Sequence, residues 1–305
     1  MIIKNFLFHR VHPERDPLWD PMAPELFDKI IKFLKKQYQI VTLEDWKRDA
    51  TPKFKKPLAT IGFDDGFKDN IEYAAPILLK HQVKASFYVV TDCIDKNVPT
   101  WTYEFDYRFN HTKKLSWELS SDFQNLDIKT ESWGNKSEQL LFATKLKPQL
   151  KKWNDSKRKL FLAFIKVQFN DVEIPKIMMD WNDVRELKRN GFEIGSHTVS
   201  HAMLGNIDNE KEIRDELMQS KLIIERELKD VCYTISYPVG SYNDQVKKLS
   251  QEAGYQIGLA VGQQFYETNQ FDNFEIPRTE LYNESMLKNK LRMNGMLENI
   301  KKWIR

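Results

Sequence analysis

Residues 57–66 read PLATIGFDDG, an apolar run that ends in two adjacent aspartates and a glycine. The run is typical of a buried β-strand, and the glycine after it gives the chain room to turn. Residues 69–82 (DNIEYAAPILLKHQ) then place apolar side chains at helical spacing, and residues 84–90 (KASFYVV) predict a second strand. A strand, a helix and a strand in this order, with DDG at the hinge, indicate a parallel α/β protein.

The same alternation continues along most of the chain. Further strands are predicted at residues 2–8, 39–43, 192–195, 233–238 and 256–261, with FEIPR following at 274–278. Helical patterns are predicted at residues 23–37, 180–191, 209–229 and 243–254. Barrels of alternating strands and helices reach 305 residues as one unit. We therefore expect a single domain over residues 1–305, although two domains also fit this length.

Residues 95–178 interrupt the alternation. They are rich in Lys, Asn, Ser, Trp and Phe, and they contain helical patterns at residues 137–153 and 156–169. This composition predicts a mainly helical insertion within the fold. Two interpretations stay open for it: a lid over one mouth of the fold, or a plain surface elaboration.

Composition and charge exclude several classes of protein. Hydrophobic residues make up 41% of the chain and aromatic residues 12%, which is enough for a large core and unlike a disordered protein. The chain has 47 Lys and Arg against 44 Asp and Glu, and the positive charges are scattered, so no nucleic-acid partner is expected. Cys93 and Cys232 lack the spacing of a metal site and are expected to be buried thiols.

The sequence also bears on membranes and export. No stretch approaches 18 consecutive apolar residues, so no membrane span is expected. Residues 1–17 lack the apolar core and the small-residue cleavage site of a signal peptide. On these grounds the protein is expected to be cytoplasmic, with an extracellular or periplasmic location as the alternative if the sequence has been trimmed.

A second motif, HTVSH at residues 197–201, follows the predicted strand at 192–195. The spacing of four predicts that His197 and His201 lie on one face of a helical turn, where two neutral ring nitrogens could bind one metal ion. In a barrel, this motif and DDG would share the mouth at the carboxyl ends of the strands. One carboxylate and two histidines leave coordination positions open for water and substrate, as hydrolytic metal centres do. One aspartate would then bind the metal, and the other would reach the metal's water.

The motifs TIGFDDG (60–66), GSHTVSH (195–201) and YPVGSYND (237–244) resemble those of the polysaccharide deacetylases. This is carbohydrate esterase family 4, which shares the nodulation-factor deacetylase domain. The resemblance is to the subgroup with an FHRV-type first strand and a YPxG motif, and it runs from FHRV at 8–11 to EIPR at 275–278, apart from the insertion. It implies a distorted (β/α) barrel, a divalent metal that is usually zinc, and an N-acetylated sugar or glycan as substrate.

The resemblance also implies roles for individual residues. By position, Asp64 matches the catalytic base of the family and Asp65 a metal ligand. His197 and His201 match the other two ligands. The backbone N–H of Tyr237 matches the donor that, together with the metal, stabilises the oxyanion.

Two departures from the family pattern concern the base and the proton donor. Many members carry an arginine just before the tyrosine–proline motif, where this chain has YTISYP, so Arg278 is expected to hold Asp64 instead. Many members also have a late histidine that protonates the leaving amine, whereas this chain has none after His201. Either His9, at the end of the first strand, or protonated Asp64 would then supply that proton.

Three aromatic residues, Trp101, Trp181 and Tyr242, lie close in sequence to these motifs and are candidates for a sugar platform. The resulting hypothesis is hydrolysis of an N-acetyl group on an amino sugar in a polysaccharide, an oligosaccharide or a precursor used in surface-polysaccharide assembly. Three alternatives remain: an O-acetyl esterase, a small-amide hydrolase, and a catalytically inactive glycan-binding module.

Overall fold

A computed structural model describes residues 2–48, 56–119, 129–268 and 272–296. Its strands are β1 (Ile2–Phe8), β2 (Gln39–Ile40), β3 (Leu58–Phe63), β4 (Ser86–Val89), β5 (Ser116–Trp117), β6 (Glu131–Ser132), β7 (Glu193–Ser196), β8 (Thr234–Ser236), β9 (Ile257–Leu259), β10 (Tyr266–Glu267) and β11 (Thr279–Glu280). Its α-helices are α1 (Pro24–Gln37), α2 (Leu43–Arg48), α3 (Ala75–Lys80), α4 (Thr91–Lys96), α5 (Trp101–His111), α6 (Lys136–Leu150), α7 (Asp155–Gln168), α8 (Trp181–Arg189), α9 (Glu210–Leu228), α10 (Asp244–Glu252) and α11 (Met286–Met293).

The large sheet has the strand order β10-β1-β3-β4-β7-β8-β9, with β2 beside β3 and β11 beside β1. Its neighbours run parallel except for β1 and β10. One segment closes the sheet: Ile276 bridges Leu259 of β9, and Thr279 pairs with Phe6 of β1. Because the same short stretch contacts β9 at one end of the strand order and β1 next to the other end, the sheet is curled into a distorted barrel, which confirms the expected fold class.

The strand, helix and strand predicted around residues 57–90 form the centre of this sheet. Every residue of β3 is buried, as a strand covered on both faces requires. After β3 the chain turns through Asp65 and Gly66, whose φ angles are +78° and +86°. One turn of π-helix, Asn70–Ala74, continues directly into α3. The chain then returns as β4, parallel to β3, so the two strands end at the same mouth of the barrel.

The ring of Tyr88, on β4, explains why glycine occupies two positions inside the barrel. A Cβ atom at Gly195 would lie 2.5 Å from the Tyr88 ring, and one at Gly62 would lie 3.1 Å from it. The ring therefore needs glycine on both neighbouring strands. It lies under the guanidinium of Arg278, whose Cζ is 5.7 Å from the ring centroid.

The outer elements include one clear departure from the sequence pattern. Asp180 caps α8 through a capping box with Asp183. The strand expected over residues 39–43 is limited to Gln39–Ile40, because the Thr42 hydroxyl accepts the Asp45 N–H at 3.0 Å and so caps helix α2.

Residues between β4 and β7 include helices α5, α6 and α7 and the antiparallel pair β5–β6. These helices pack around an apolar cluster separate from the main core, whose large members are Phe105, Phe109, Trp117, Phe161, Phe164 and Phe169. Such a cluster fixes the helices against one another and lets them act as one wall.

Two composition-based expectations can be compared with the structure. Cys93 and Cys232 are free, buried thiols, as predicted. None of the helices in the described residues has the length and apolar content that a bilayer-spanning helix requires.

Candidate active site

The three candidate metal ligands converge at the mouth of the barrel. Nε2 of His197 lies 3.4 Å from Oδ1 of Asp65, and Nε2 of His201 lies 3.2 Å from the same oxygen. All three residues are buried, and one ligand atom from each lies within 4.8 Å of the others. These residues could hold one metal ion.

The local structure of the histidine motif differs from the expected helical turn. Thr198 and His201 have φ angles of +69° and +59°, in the left-handed region that an α-helix excludes. The motif is instead a loop after β7, and Glu216 of α9 accepts the N–H groups of Val199 and Ser200 at 2.9 and 3.0 Å. Side chains four residues apart meet here because the loop doubles back, so the convergence was predicted and the helix was wrong.

The orientation of His197 is set by the neighbouring strand. Its Nδ1 lies 2.7 Å from the carbonyl oxygen of Ser236, an acceptor only, so Nδ1 carries the proton and donates it. The Nε2 atom then keeps its lone pair on the side that faces Asp65. A hydrogen bond of this kind is what fixes the tautomer of a metal-binding histidine.

Two polar atoms at this point lack partners within the described residues. Asp65 Oδ1 and His201 Nδ1 are buried and form no hydrogen bond. Burial raises the pKa of the Asp65 carboxyl, but the imidazoles of His201 and His197 outweigh it and hold that pKa well below its usual range. An ionised, buried and unsatisfied oxygen beside two imidazoles is costly without a cation, so this donor set fits a divalent ion.

Asp64 is clamped beside these ligands. Arg278 donates from Nη1 to Oδ1 at 2.7 Å and from Nη2 to Oδ2 at 2.8 Å, and both side chains are 2% exposed. Ser236 adds a hydroxyl donor to Oδ2 at 3.1 Å. The expected contact between Arg278 and Asp64 is therefore present, in the bidentate geometry that guanidinium and carboxylate favour.

The environment of Asp64 keeps it ionised. Burial raises the pKa of its carboxyl, but Arg278, with smaller contributions from His197 and His9, brings that pKa below its ordinary value. Its Oδ2 is 3.8 Å from Nε2 of His197. Since a carboxylate oxygen offers more than one lone pair, the clamp leaves acceptor capacity on the side of the candidate metal ligands.

His9 reaches the same mouth from the end of β1. Its Nδ1 lies 3.2 Å from Oε1 of Glu280 on β11, and Asn70 donates to its carbonyl oxygen at 2.7 Å. Burial lowers the pKa of His9, but the hydrogen bond and charge of Glu280, together with Asp65 and Asp64, raise it to about 8. His9 is therefore protonated at neutral pH.

Glu280 was absent from the sequence-based candidates, although a signal for it exists. It lies two residues after Arg278, and alternate residues of an extended segment face the same side. Both side chains thus reach the site from one strand.

Tyr237 does not supply the expected backbone donor. Its N–H donates to the carbonyl oxygen of Leu259 at 3.0 Å, between β8 and β9. Its side chain is buried, with the hydroxyl 3.4 Å from Ser250 Oγ. The prediction is therefore wrong, because the Tyr237 amide belongs to the sheet and points away from the mouth.

Val239, two residues after Tyr237, has within the described part of the chain both the position in the pocket and the unbonded N–H that Tyr237 lacks. It lines the active-site pocket, and among the described residues its N–H meets no acceptor. Its φ of +58° is rare for a β-branched residue and is the kind of local strain that clusters at functional sites.

These groups line a cavity of about 380 Å³. Its aromatic walls are Trp19 and Tyr282, neither of which the sequence singled out. The predicted platform is elsewhere: Trp181 donates to Asp95, and Tyr242 stacks on Tyr237. Trp101 lies 6.4 Å from the His201 ring, on the side of a neighbouring cavity.

The family model for polysaccharide deacetylases matches residues 51–258 of the chain. The chain belongs to the polysaccharide deacetylase family. Both sequence relatives are bacterial: this family member is 32% identical over 76 residues to YxkH of Bacillus subtilis, and 35% identical over 77 residues to a peptidoglycan-N-acetylglucosamine deacetylase of Bacillus cereus. Each match covers 25% of this chain, and the matches span 27% and 35% of the relatives' own lengths.

Among solved structures, this deacetylase-family chain is similar to the Streptococcus pyogenes deacetylase PplD in complex with acetate. The TM-score is 0.64 at 17% sequence identity, over 96% of this chain and 98% of that one. This likeness shows that the two chains share a fold. The family-model match confirms the resemblance to the polysaccharide deacetylases that the three motifs predicted.

Proposed function

We propose that this protein is a metal-dependent hydrolase that removes an N-acetyl group from an amino sugar in a polysaccharide, an oligosaccharide or a glycan precursor. The observation that supports it most is the convergence of Asp65, His197 and His201 beside Asp64 in one pocket. Family membership supports the reaction class, and Zn²⁺ is the ion that best suits one carboxylate and two imidazoles with open positions.

Asp65, His197 and His201 would hold the ion. When bound, it supplies Lewis acidity that polarises the acetyl carbonyl and acidifies water. Asp64 is the proton acceptor in this proposal. A carboxylate with a lowered pKa is a weaker base than a free one, so its advantage is full ionisation and a fixed position, both of which Arg278 provides.

The backbone N–H of Val239 is the proposed donor to the oxyanion. Val239 lines the pocket and its N–H lacks an acceptor in the described residues, whereas the Tyr237 N–H is already bonded to Leu259. An N–H held close to the developing charge would stabilise the transition state without any rearrangement.

His9 is the proposed proton donor to the leaving amine. Glu280 keeps it protonated at neutral pH, and both residues line the pocket. An amine leaves only after it gains a proton, so a protonated imidazole beside the reaction centre favours cleavage of an amide. The alternative donor is Asp64 after it has accepted a proton.

We also propose that residues 1–305 form one catalytic domain in which residues 95–178 are a helical insertion that forms one wall of the site. Thr102, Asp106, Thr144, Lys147 and Lys151 of this segment line the pocket. That placement supports the interpretation of the insertion as a lid and argues against a plain surface elaboration.

The decisive experiment is acetate release from N-acetylated and O-acetylated oligosaccharides by zinc-loaded protein. We expect release from the N-acetylated substrates, and we expect Asp64→Asn to lower kcat by about 10²- to 10⁴-fold. The bound zinc content of the variant should stay unchanged. Wild-type turnover restricted to O-acetyl esters, or full activity in Asp64→Asn, would contradict the proposal.

A further inference from the structure

The carboxylates that line the pocket are each matched by a positive group. Asp64 pairs with Arg278, and Glu280 contacts His9. The third, Asp65, belongs to the proposed metal ligands. These groups account for the charges at the barrel mouth.

In the wall formed by the helical segment, the remaining carboxylate, Asp106 of α5, pairs with Lys147 of α6. Lys151, one turn further along, lines the same cavity. Within the described residues no carboxylate lies within ion-pair distance of its ammonium group. Lys151 is therefore the cation of this pocket that has no partner of opposite charge.

Lys151 is half-buried, so its isolation has a cost. Burial and the charge of Lys147 lower the pKa of its ammonium group, against the weaker pull of Glu280, Asp106 and Asp65. A partly desolvated ammonium is stabilised most by a directly paired anion, and the pocket is the space from which such an anion could approach.

The position of Lys151 is fixed relative to the catalytic loops. Asn206 donates from Nδ2 to the carbonyl oxygens of Lys151 and Trp153 at 3.0 and 2.9 Å. The Oδ1 of the same Asn206 accepts the hydroxyl of Ser241 at 3.1 Å. Because Ser241 follows Val239 by two residues, one amide side chain ties the end of α6 to the loop that carries the proposed oxyanion donor.

The surrounding sequence has the same sign of charge. Residues 145–159 contain six lysines and one arginine against a single aspartate, Asp155. Lys145 and Lys152 are exposed on either side of Lys151 in the sequence. The stretch of chain that carries Lys151 is therefore net positive.

We propose that Lys151 is a specificity-determining residue that binds an anionic substituent, a carboxylate or a phosphate, carried by the glycan near the acetylated amino sugar. This inference rests on the proposed function and names the class of its substrate. A neutral glycan would leave the ammonium group unpaired in the complex, whereas an acidic glycan would complete the charge pairing of the pocket.

Three oligosaccharide probes test this inference: the neutral tetramer of N-acetylglucosamine, a tetramer in which alternate residues are N-acetylmuramic acid, and N-acetylglucosamine oligomers that end in a 1-phosphate. Wild-type protein should prefer at least one acidic probe, and the two acidic probes distinguish carboxylate from phosphate. Lys151→Gln should lower kcat/KM for the preferred acidic probe about tenfold, mainly through KM, and change the neutral tetramer less than about twofold.

Two variants serve as controls. Lys152→Gln removes a neighbouring exposed charge outside the pocket and should leave the preference intact, and Lys151→Arg should retain most of it. Equal losses on acidic and neutral probes in Lys151→Gln, or no loss on either, would overturn the assignment.

Calorimetric binding in an Asp64→Asn background separates this inference from the proposed function. If the wild-type protein releases acetate from none of the probes, the proposed function fails. Tighter binding of an acidic probe that weakens about tenfold in Lys151→Gln would still support the assignment. Equal affinity of the two proteins for every probe would overturn it.

Discussion

The barrel mouth and the helices between β4 and β7 line the same pocket, yet they hold their charges in different ways. At the mouth, Asp64 and Arg278 are almost fully buried and bonded through two parallel hydrogen bonds. On the helical wall, Lys151 is half-buried and has no anionic partner among the described residues. Groups with fixed partners are suited to chemistry, which needs one geometry, whereas an unpaired group is suited to selecting a ligand.

Because of this difference, the two regions contribute differently to the free energy of unfolding. A buried bidentate ion pair cannot lose one member without leaving an uncompensated charge in the interior. A half-exposed lysine can be replaced at little cost to the fold. Mutations of the buried pair at the mouth should therefore affect folding and turnover together, and mutation of Lys151 on the helical wall should affect only the choice of substrate.

The largest effect is expected from the metal ligand at the mouth. Asp65→Asn removes the only carboxylate among the three converging ligands, so zinc affinity should fall by more than the roughly 10- to 100-fold that loss of an outer-sphere partner costs. Metal content after dialysis, measured by mass spectrometry, tests this. Asp45→Asn, at an exposed pair with Lys84, should retain metal. If the Asp65→Asn protein kept its full zinc content, Asp65 would not be a metal ligand and the proposed metal centre would be wrong.

The second effect concerns the buried clamp. Arg278→Met leaves Asp64 ionised and unpaired, and it should lower the free energy of unfolding by about 3–5 kcal/mol. Arg214→Met is the matched control, because Arg214 pairs with Glu252 in an exposed position and should cost about 0–1 kcal/mol. Urea unfolding measures both. Equal losses of unfolding free energy in the two variants would mean that the buried pair at the mouth stabilises the fold no more than the exposed pair does.

A smaller effect should appear in the pH profile. His9 has a pKa of about 8 and acts as the donor when protonated, so kcat/KM should fall as the pH rises through about 8. Glu280→Gln removes the hydrogen bond and charge that raise this pKa, so the fall should move to lower pH by about one unit. Glu275→Gln, whose carboxylate contacts Lys247 instead, should leave the profile in place. An unmoved profile in Glu280→Gln would assign the proton to another donor.

The smallest effect tests how the helical wall is held. Asn206→Ala removes two hydrogen bonds to the end of α6 and should let Lys151 move away from the catalytic loops. We expect the preference for an acidic over a neutral oligosaccharide to fall about fivefold, which corresponds to about one hydrogen bond. Turnover of both substrates should also fall, because the Ser241 hydroxyl loses its acceptor on the loop that carries Val239, and Asn170→Ala, at the far end of α7, should not alter the ratio. An unchanged ratio in Asn206→Ala would show that the action of Lys151 does not depend on this link.

The sequence predicted the barrel and the convergence of four side chains because both depend on pattern. Strands at 57–63 and 192–195 each lead into a polar motif, and parallel strands place their ends at one mouth. Arg278 was also predicted as the partner of Asp64. For the aspartates and histidines, a residue type and its place after a strand suffice, whatever the details of the loop, whereas Arg278 was predicted from the family resemblance.

The errors concern backbone conformation and side-chain direction. The spacing of His197 and His201 suits a helix, yet left-handed φ angles at Thr198 and His201 make the segment a loop. Tyr237 was assigned the backbone donor, although the β8–β9 ladder uses its N–H, and the donor proposed in its place lies two residues later. Neither the sign of φ nor the register of a ladder can be read from single residues.

The residues that line the pocket from outside the motifs were mostly missed. Trp19 and Tyr282 form the aromatic wall, whereas Trp101, Trp181 and Tyr242 were chosen because they lie near the motifs in sequence. Lys151 belongs to a helical pattern with many lysines, and only the packing of α6 against the barrel distinguishes it from its neighbours.

The loops at the mouth contain four residues other than glycine in left-handed conformation: Asp65, Thr198, His201 and Val239. Each such conformation costs on the order of 1 kcal/mol or more, and the rest of the fold must supply it. Two of the four, Thr198 and Val239, are not proposed to act through their side chains, and glycine would adopt this backbone conformation there without the local strain. Threonine and valine at these positions keep the mouth rigid and lower the free energy of unfolding. Other enzymes show the same exchange of folding stability for a preformed active site.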